Sequence, residues 1–231
     1  MDMALTAEEA AALRISLKVA FWATLTALPL GLATAWLLAR RRFPGRLLLD
    51  GLVHMPLVLP PVVTGYMLLL LFGRMGPLGG FLDDFGIVFA FNWTGAALAA
   101  GVMGFPLMVR AMRLSLEAVD RRLEDAAATL GAPPVMVFLT VTLPLMLPGV
   151  LAGAILCFAK ALGEFGATIT FVSNIPGVTQ TLPSAIYSYT QVPGGDGPAL
   201  RLTLISVVIA ISALIASEVL ARRVRRRVEG A

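Results

Sequence analysis

The chain has 231 residues, of which 58% are hydrophobic and 14% are charged, and its mean hydropathy is +0.86. Ordinary globular chains are about one-quarter charged and about half apolar, so this composition excludes a soluble domain and indicates a membrane protein. The formal charge of +4 is not that of a nucleic-acid binder, because the basic residues sit at the ends of apolar runs and leave no solvated face to follow a phosphate backbone.

The stretch Met1 to Leu13 carries Asp2, Glu8 and Glu9 but neither Lys nor Arg. This is the reverse of the positive segment of a secretory signal, so the first helix is expected to be retained. Thr6 followed by Glu9 fits a capping box and predicts a short helix leading into the first span. Five spans are predicted, at about Ile15 to Ala39, Leu52 to Phe72, Thr94 to Met112, Leu147 to Phe171 and Leu202 to Ala221. Each is near or above the ~18 residues that cross a hydrocarbon core roughly 30 Å thick.

An odd number of spans puts the termini on opposite sides. Arg40, Arg41, Arg42 and Arg46 follow span one; Arg110, Arg113, Arg121 and Arg122 follow span three; Arg222, Arg223, Arg225, Arg226 and Arg227 follow span five. These are thirteen of the eighteen Lys and Arg. The opposite connections, Gly73 to Trp93 and Ser173 to Leu200, hold Arg74 as their only basic residue, beside Asp83, Asp84 and Asp196. The positive-inside rule therefore predicts cytoplasmic arginine-rich loops, a cytoplasmic C-terminus and an external N-terminus. Ile87 to Phe91 is too short to cross and either extends span three outward or lies at the interface, where Trp93 is expected as an anchor. There is no internal repeat, and five spans do not divide into inverted halves, so the second half of any pore must come from another subunit.

Span two contains Pro56, Pro60 and Pro61, each of which removes a backbone donor. Broken backbone at membrane depth is tolerated only inside protein or along a cavity. Pro60, Pro61, Val62 and Val63 are accordingly placed at a subunit interface near the gate, whereas single prolines such as Pro29 and Pro106 need be no more than packing kinks. His54 reads as a hydrogen-bonded interfacial residue rather than a ligand. Span four carries Cys157, read as a small apolar residue, and Lys160 and Glu164, four apart and so on one helical face. A charge at the centre of an inserted helix costs about 2.5 to 3.5 kcal/mol, so both should face protein or water. Two readings stay open for the pair: mutual neutralisation that fixes helix packing, or lining of a pathway. Pro193 to Pro198 reads as a mobile turn, and no metal or cofactor is expected.

The cytoplasmic loop of about residues 116–147 is the most informative segment. Val119, Leu123, Ala126, Ala127 and Leu130 recur at helical spacing among Asp120, Arg121, Arg122, Glu124 and Asp125, which predicts a short amphipathic helix. Gly131 suits the left-handed position after it, and Pro133 and Pro134 forbid its continuation. Asp125-Ala126-Ala127, three residues, Gly131, nine residues, then Val141-Thr142-Leu143-Pro144 resembles the cytoplasmic signature of bacterial ABC-importer permeases, with Asp for Glu and Val for Ile. The resemblance implies a coupling helix, formed by Glu124, Asp125, Ala126, Ala127 and Gly131, docked on an ATPase subunit and joined through Leu143 and Pro144 to span four. No phosphate-binding G-x-x-x-x-G-K-[ST] loop occurs, since the only lysines are Lys18 and Lys160, so ATP must be hydrolysed by a partner. Membrane-enzyme chemistry lacks any cluster of catalytic residues at suitable spacing.

The run from Ala159 to Thr168, AKALGEFGAT, with TFVSNIPGVTQTLPSAIY from Thr170 to Tyr187, resembles molybdate permeases; sulfate permeases, often with Tyr after the Glu, resemble it less. The resemblance extends from Leu13 to Arg225. It implies an all-α, polytopic type I importer permease, a single domain over 1–231 in the bacterial inner membrane, two copies of itself, two copies of an ATPase subunit and an external molybdate-binding protein. Asp83 and Asp84 could then meet that binding protein, and their D-F-G continuation, without other kinase motifs, is a chance match. The alternatives are a sulfate, thiosulfate or tungstate permease of the same class and a non-transporting membrane scaffold that recruits a cytoplasmic protein through the same loop.

Overall fold

The computed structural model describes residues 5–229, with the side chains at 217, 218 and 220–229 excepted. Asp2 and the side chains of Arg222, Arg223, Arg225, Arg226 and Arg227 therefore lie outside the described residues. Every regular element among the described residues is helical. In chain order these are α1 (Ala7–Arg40), α2 (Arg46–Val58), α3 (Pro61–Phe72), α4 (Pro77–Asp83), α5 (Trp93–Glu117) and α6 (Arg121–Thr129). There follow α7 (Pro134–Val137), one π-helical turn (Phe138–Thr142), α8 (Leu143–Leu162), α9 (Gly166–Val172), α10 (Leu182–Thr190) and α11 (Asp196–Glu229).

The capping box forms as expected: the Thr6 amide donates to Glu9 Oε2 at 2.7 Å, and the Glu9 amide donates to Thr6 Oγ1 at 3.3 Å. It opens one continuous helix of 34 residues rather than a separate short one, because nothing between Glu9 and Ile15 breaks the apolar stripe. Four helical segments are long and apolar enough to cross a membrane, and α2 with α3 supplies a fifth. That pair is not the straight span expected: its axis bends by 116° around Leu59 and Pro60. The limbs still reach opposite ends of the bundle. Asp50 of α2 pairs with Arg113 at the end of α5 (3.1 Å), whereas Phe72 of α3 stacks edge-on against Phe89, just ahead of α5 (5.6 Å between centroids).

The fourth span also differs. It begins at Pro134 rather than Leu147 and its helix stops at Leu162, with α9 restarting after a three-residue break. The Gly163–Phe165 break explains why apolar composition alone ran the span on to Phe171.

Side chains in lipid gain nothing from leaving an apolar solvent, so helices associate through close packing at small residues. Ala20 and Ala23 of α1 and Ala96, Ala99 and Ala100 of α5 are buried together at such an interface. Where α5 meets α8, a Cβ on Gly104 would lie 2.7 Å from Cys157 Sγ, and one on Gly153 would lie 2.9 Å from the Met108 carbonyl oxygen. Cys157 is fully buried and fills the notch opposite Gly104, a packing role. The most apolar stretch of α5 is 67% buried, against 11% for α11; α5 is the centre of the bundle and α11 its periphery.

At the end opposite the arginine-rich loops, the Arg201 guanidinium donates from Nε (3.1 Å) and from its NH2 group (2.7 Å) to Glu9 Oε1. The Leu182 amide donates to Ser16 Oγ at 2.6 Å, so α1 is tied to both α10 and α11. Lys18 lies 3.5 Å above the Trp93 ring, which fixes the anchoring indole at the start of α5. The Pro193–Pro198 turn is more constrained than expected: Gly195 is buried, its amide donates to Val192 O at 3.2 Å, and Asp196 opens α11 directly.

Candidate functional site

The arginine-rich end is built around α6. The Asp120 carboxylate accepts from the Arg122 amide (3.0 Å) and caps the helix. The helix closes through Gly131, at φ +88°, a conformation that costs any other residue a Cβ clash. Pro133 and Pro134 then cap and open α7. No residue of α6 is buried. Leu123, Leu130, Val135, Met136 and Leu139 are all exposed, an apolar surface that the described chain leaves uncovered.

Glu124 and Asp125 divide the work between them. Glu124 Oε1 accepts from the Arg40 NH2 group at 3.0 Å and from Thr142 Oγ1 at 2.7 Å; Arg40 also reaches the Val119 carbonyl at 3.4 Å. Asp125, Ala126 and Gly131 stay exposed, and Ala127 is half-buried. One carboxylate thus bolts α6 to the end of α1 and to the π turn, while its neighbour faces out. Leu143 and Pro144 open α8 directly behind Thr142, and the Leu143 amide donates back to Phe138 O. A cavity of about 360 Å³ lies between α1 and this segment, lined by Arg40, Arg41, Arg121, Glu124, Asp125 and Pro134 among others. Sequence reasoning missed Arg40 and Thr142; Arg40 counted only as one of the positive charges, and no local spacing links residues 40, 124 and 142.

Within the membrane the two broken spans lie against each other. A Cβ on Gly166, the first residue of α9, would lie 2.7 Å from Pro61 Cβ, and a Cβ on Gly65 would overlap the Ala167 carbonyl and lie 2.8 Å from its Cα. The proline break and the Gly163–Phe165 break are therefore brought together, with Val62 and Val63 exposed beside them. Lys160 and Glu164 do not share a face of one continuous helix. Lys160 lies in the last turn of α8, whereas Glu164 sits in the break, where its Oε2 accepts from Lys160 Nζ (2.9 Å) and its Oε1 from the Ala167 amide (3.0 Å). The Glu164 side chain is 1% exposed and that of Lys160 32%, so the carboxylate is fixed in the protein while the ammonium reaches outward. Glycines on either side of Glu164-Phe165 were the sequence signal for this break. Thr64 Oγ1, one turn into α3, is buried without a hydrogen-bond partner among the described residues.

A valine at position 65 has the Ala167 backbone of α9 to displace, and overpacking of this kind costs about 1 to 3 kcal/mol. Gly65→Val is expected to lower the thermal midpoint of the purified protein in detergent clearly below that of wild type. An unshifted midpoint would show that α3 and α9 do not pack here. The lone histidine behaves as a local partner: His54 Nδ1 lies 2.9 Å from the Asp50 carbonyl oxygen, to which it donates, and 3.3 Å from Asp50 Oδ1.

Residues 27–226 match the family described as binding-protein-dependent transport system inner membrane component. The chain is 59% identical over 226 residues to the molybdenum transport system permease protein ModB of Escherichia coli (strain K12), covering 97% of this chain and 99% of that one. It is 37% identical over 231 residues to the sulfate transport system permease protein CysT of Salmonella typhimurium, covering 99% and 82%. Among solved structures, a bacterial ABC transporter involved in the import of the acidic polysaccharide alginate superposes with a TM-score of 0.74 at 14% identity, over 95% of this chain and 80% of that one. The fold is that of a type I ABC-importer permease.

Proposed function

This chain belongs to the family of binding-protein-dependent transport system inner membrane components, and we propose that it forms the translocation pathway for molybdate across the bacterial inner membrane. The observation that carries the cargo is the near-full-length identity of 59% to a molybdenum permease against 37% to a sulfate permease. Two copies of the chain enclose the pathway. Two copies of a cytoplasmic ATP-binding cassette subunit drive it, and an external binding protein delivers the anion. In this reading the N-terminus is outside and the arginine-rich loops and C-terminus are cytoplasmic, the orientation that the positive-inside rule favours.

In this reading the exposed surface of α6, with Asp125, Ala126, Ala127 and Gly131, docks on the ATPase. The Glu124 bond to Arg40 and Thr142 transmits its movement into α1 and, through Leu143 and Pro144, into α8. The adjoining breaks supply the gate: Pro60, Pro61, Val62 and Val63 on one limb, with Lys160 and Glu164 on the other. Backbone that is already interrupted can change direction without breaking a continuous helical ladder. Closure of the ATPase pair turns the gate outward to receive the anion, and relaxation turns it inward. The fixed Glu164 carboxylate holds the half-buried Lys160 ammonium in place beside the path.

The test is uptake of labelled molybdate into vesicles containing this chain with its ATPase subunit and binding protein, with and without excess sulfate. ATP-dependent uptake that sulfate fails to displace is expected. Equal competition by sulfate would overturn the cargo, and ATPase recruitment without uptake of either anion would leave only a scaffold.

A further inference from the structure

The end of the bundle away from the arginine-rich loops holds a cavity of about 860 Å³, lined by Gly73, Arg74, Gly76, Ala90, Phe91 and Asn92 among others. No carboxylate is among its lining residues. Arg74 makes no ion pair among the described residues. The other cations toward this end do not line the cavity: Arg201 is bound to Glu9, Lys18 lies on Trp93, and Arg14 belongs to α1. Asp83, Asp84 and Asp196, the acidic residues of these connections, are absent from the lining, so Arg74 is the one charged residue that lines the cavity and the one that attracts an anion into it.

The turn that carries Arg74 is set by backbone, and the Arg74 side chain itself is exposed. Gly73 ends α3 and its amide donates to Leu69 O at 2.8 Å; the Gly76 amide donates to Gly73 O at 2.7 Å. A Cβ on Gly76 would lie 2.7 Å from the Leu71 carbonyl oxygen, and one on Gly79 would overlap Phe72 and Gly73. The turn that carries Arg74 can therefore close only with glycines in it. The opposite wall includes Phe91, held at φ +58°, a strained backbone of the kind found at ligand-binding walls. From this turn α3 runs about 18 Å back to Pro61 and the gate.

We propose that Arg74 and this cavity form the receiving site for the oxyanion on the outer face, where a planar, permanently charged guanidinium takes the tetrahedral dianion as its binding protein releases it. The assignment rests on the proposed cargo and orientation, and it adds a residue that neither the coupling segment nor the gate contains. The cavity is wide enough for the anion to arrive with water still on it, which suits a site that must release as readily as it captures.

The experiment compares wild type, Arg74→Gln and Arg74→Lys in vesicles with the ATPase subunit and the binding protein, reading labelled molybdate imported per ATP hydrolysed. For Arg74→Gln this ratio is expected to fall about tenfold, the loss of one charge-assisted hydrogen bond, and Arg74→Lys, which keeps the charge but not the planar fork, recovers only part of it. Import and hydrolysis falling together, with an unchanged ratio, would assign Arg74 a structural role and overturn the proposal. A deficit that excess binding protein removes would make Arg74 a docking contact instead, and one that disappears in vesicles lacking anionic lipid would make it a headgroup anchor; either outcome overturns the proposal too. Failure of the wild type to import molybdate while importing sulfate, with Arg74→Gln still lowering the ratio for sulfate, would remove the cargo and keep the site.

Discussion

Replacing Glu124 with alanine is expected to destabilise the α1–α6–α8 junction by about 3 to 5 kcal/mol, the range for removing one partner of a buried ion pair, and to leave ATP hydrolysis uncoupled from import. The Arg40 side chain is 10% exposed and that of Glu124 20%, so the cost falls toward the lower end of that range. Alanine would leave the Arg40 guanidinium, whose Nε already lacks a partner among the described residues, with only the Val119 carbonyl at 3.4 Å, and would strand the Thr142 hydroxyl, on a residue 3% exposed. Glutamine keeps an oxygen that can accept from both and loses only the charge, so Glu124→Gln should fall between alanine and wild type. Asp125→Ala, at an exposed position, should stay within about 0.5 kcal/mol of wild type while weakening capture of the ATPase subunit. Thermal midpoints in detergent, read beside anions imported per ATP in vesicles, separate the two carboxylates. Equal midpoints for Glu124→Ala and Asp125→Ala would mean that no such junction exists.

The same two residues show how far the sequence could be read. The spacing from Asp125 through Gly131 to Pro144 was visible because a capped amphipathic helix and its proline stop are local, with periods and turn residues that lie side by side in the chain. The choice between Glu124 and Asp125 was not visible, since it depends on Arg40, which lies 84 positions away, and on Thr142 across a π turn. The breaks divide in the same way. Pro60 and Pro61 announced an interruption of span two because proline lacks an amide hydrogen, yet neither the 116° size of the bend nor the contact of α3 with α9 is written in any local pattern. The interruption at Gly163–Phe165 went unread because an apolar run looks the same whether or not its helix is continuous. Arg74 was legible only as an isolated charge; the cavity around it comes from residues of α3, the loop before α5 and Val178, which no window of sequence joins.

Loss of Arg201 should cost more than loss of Glu9, although the two form one ion pair, because the Glu9 side chain is fully buried and that of Arg201 is 21% exposed. Arg201→Met leaves a buried carboxylate held, among the described residues, by the Thr6 amide at 2.7 Å, and should cost the upper part of the roughly 3 to 5 kcal/mol typical of a broken buried pair. Glu9→Leu leaves a guanidinium that can extend its head toward water, and should cost less. Replacing both removes the buried charges together; such exchanges are often neutral, so Glu9→Leu/Arg201→Met should recover most of the loss. Thermal midpoints of the four proteins complete a double-mutant cycle with a large favourable coupling. The pair joins the first turn of α1 to the start of α11, so the recovered double variant should also regain import, because apolar packing restores the joint between the helices. Additive losses around the cycle would mean that Glu9 and Arg201 act independently and that α1 and α11 are held together elsewhere.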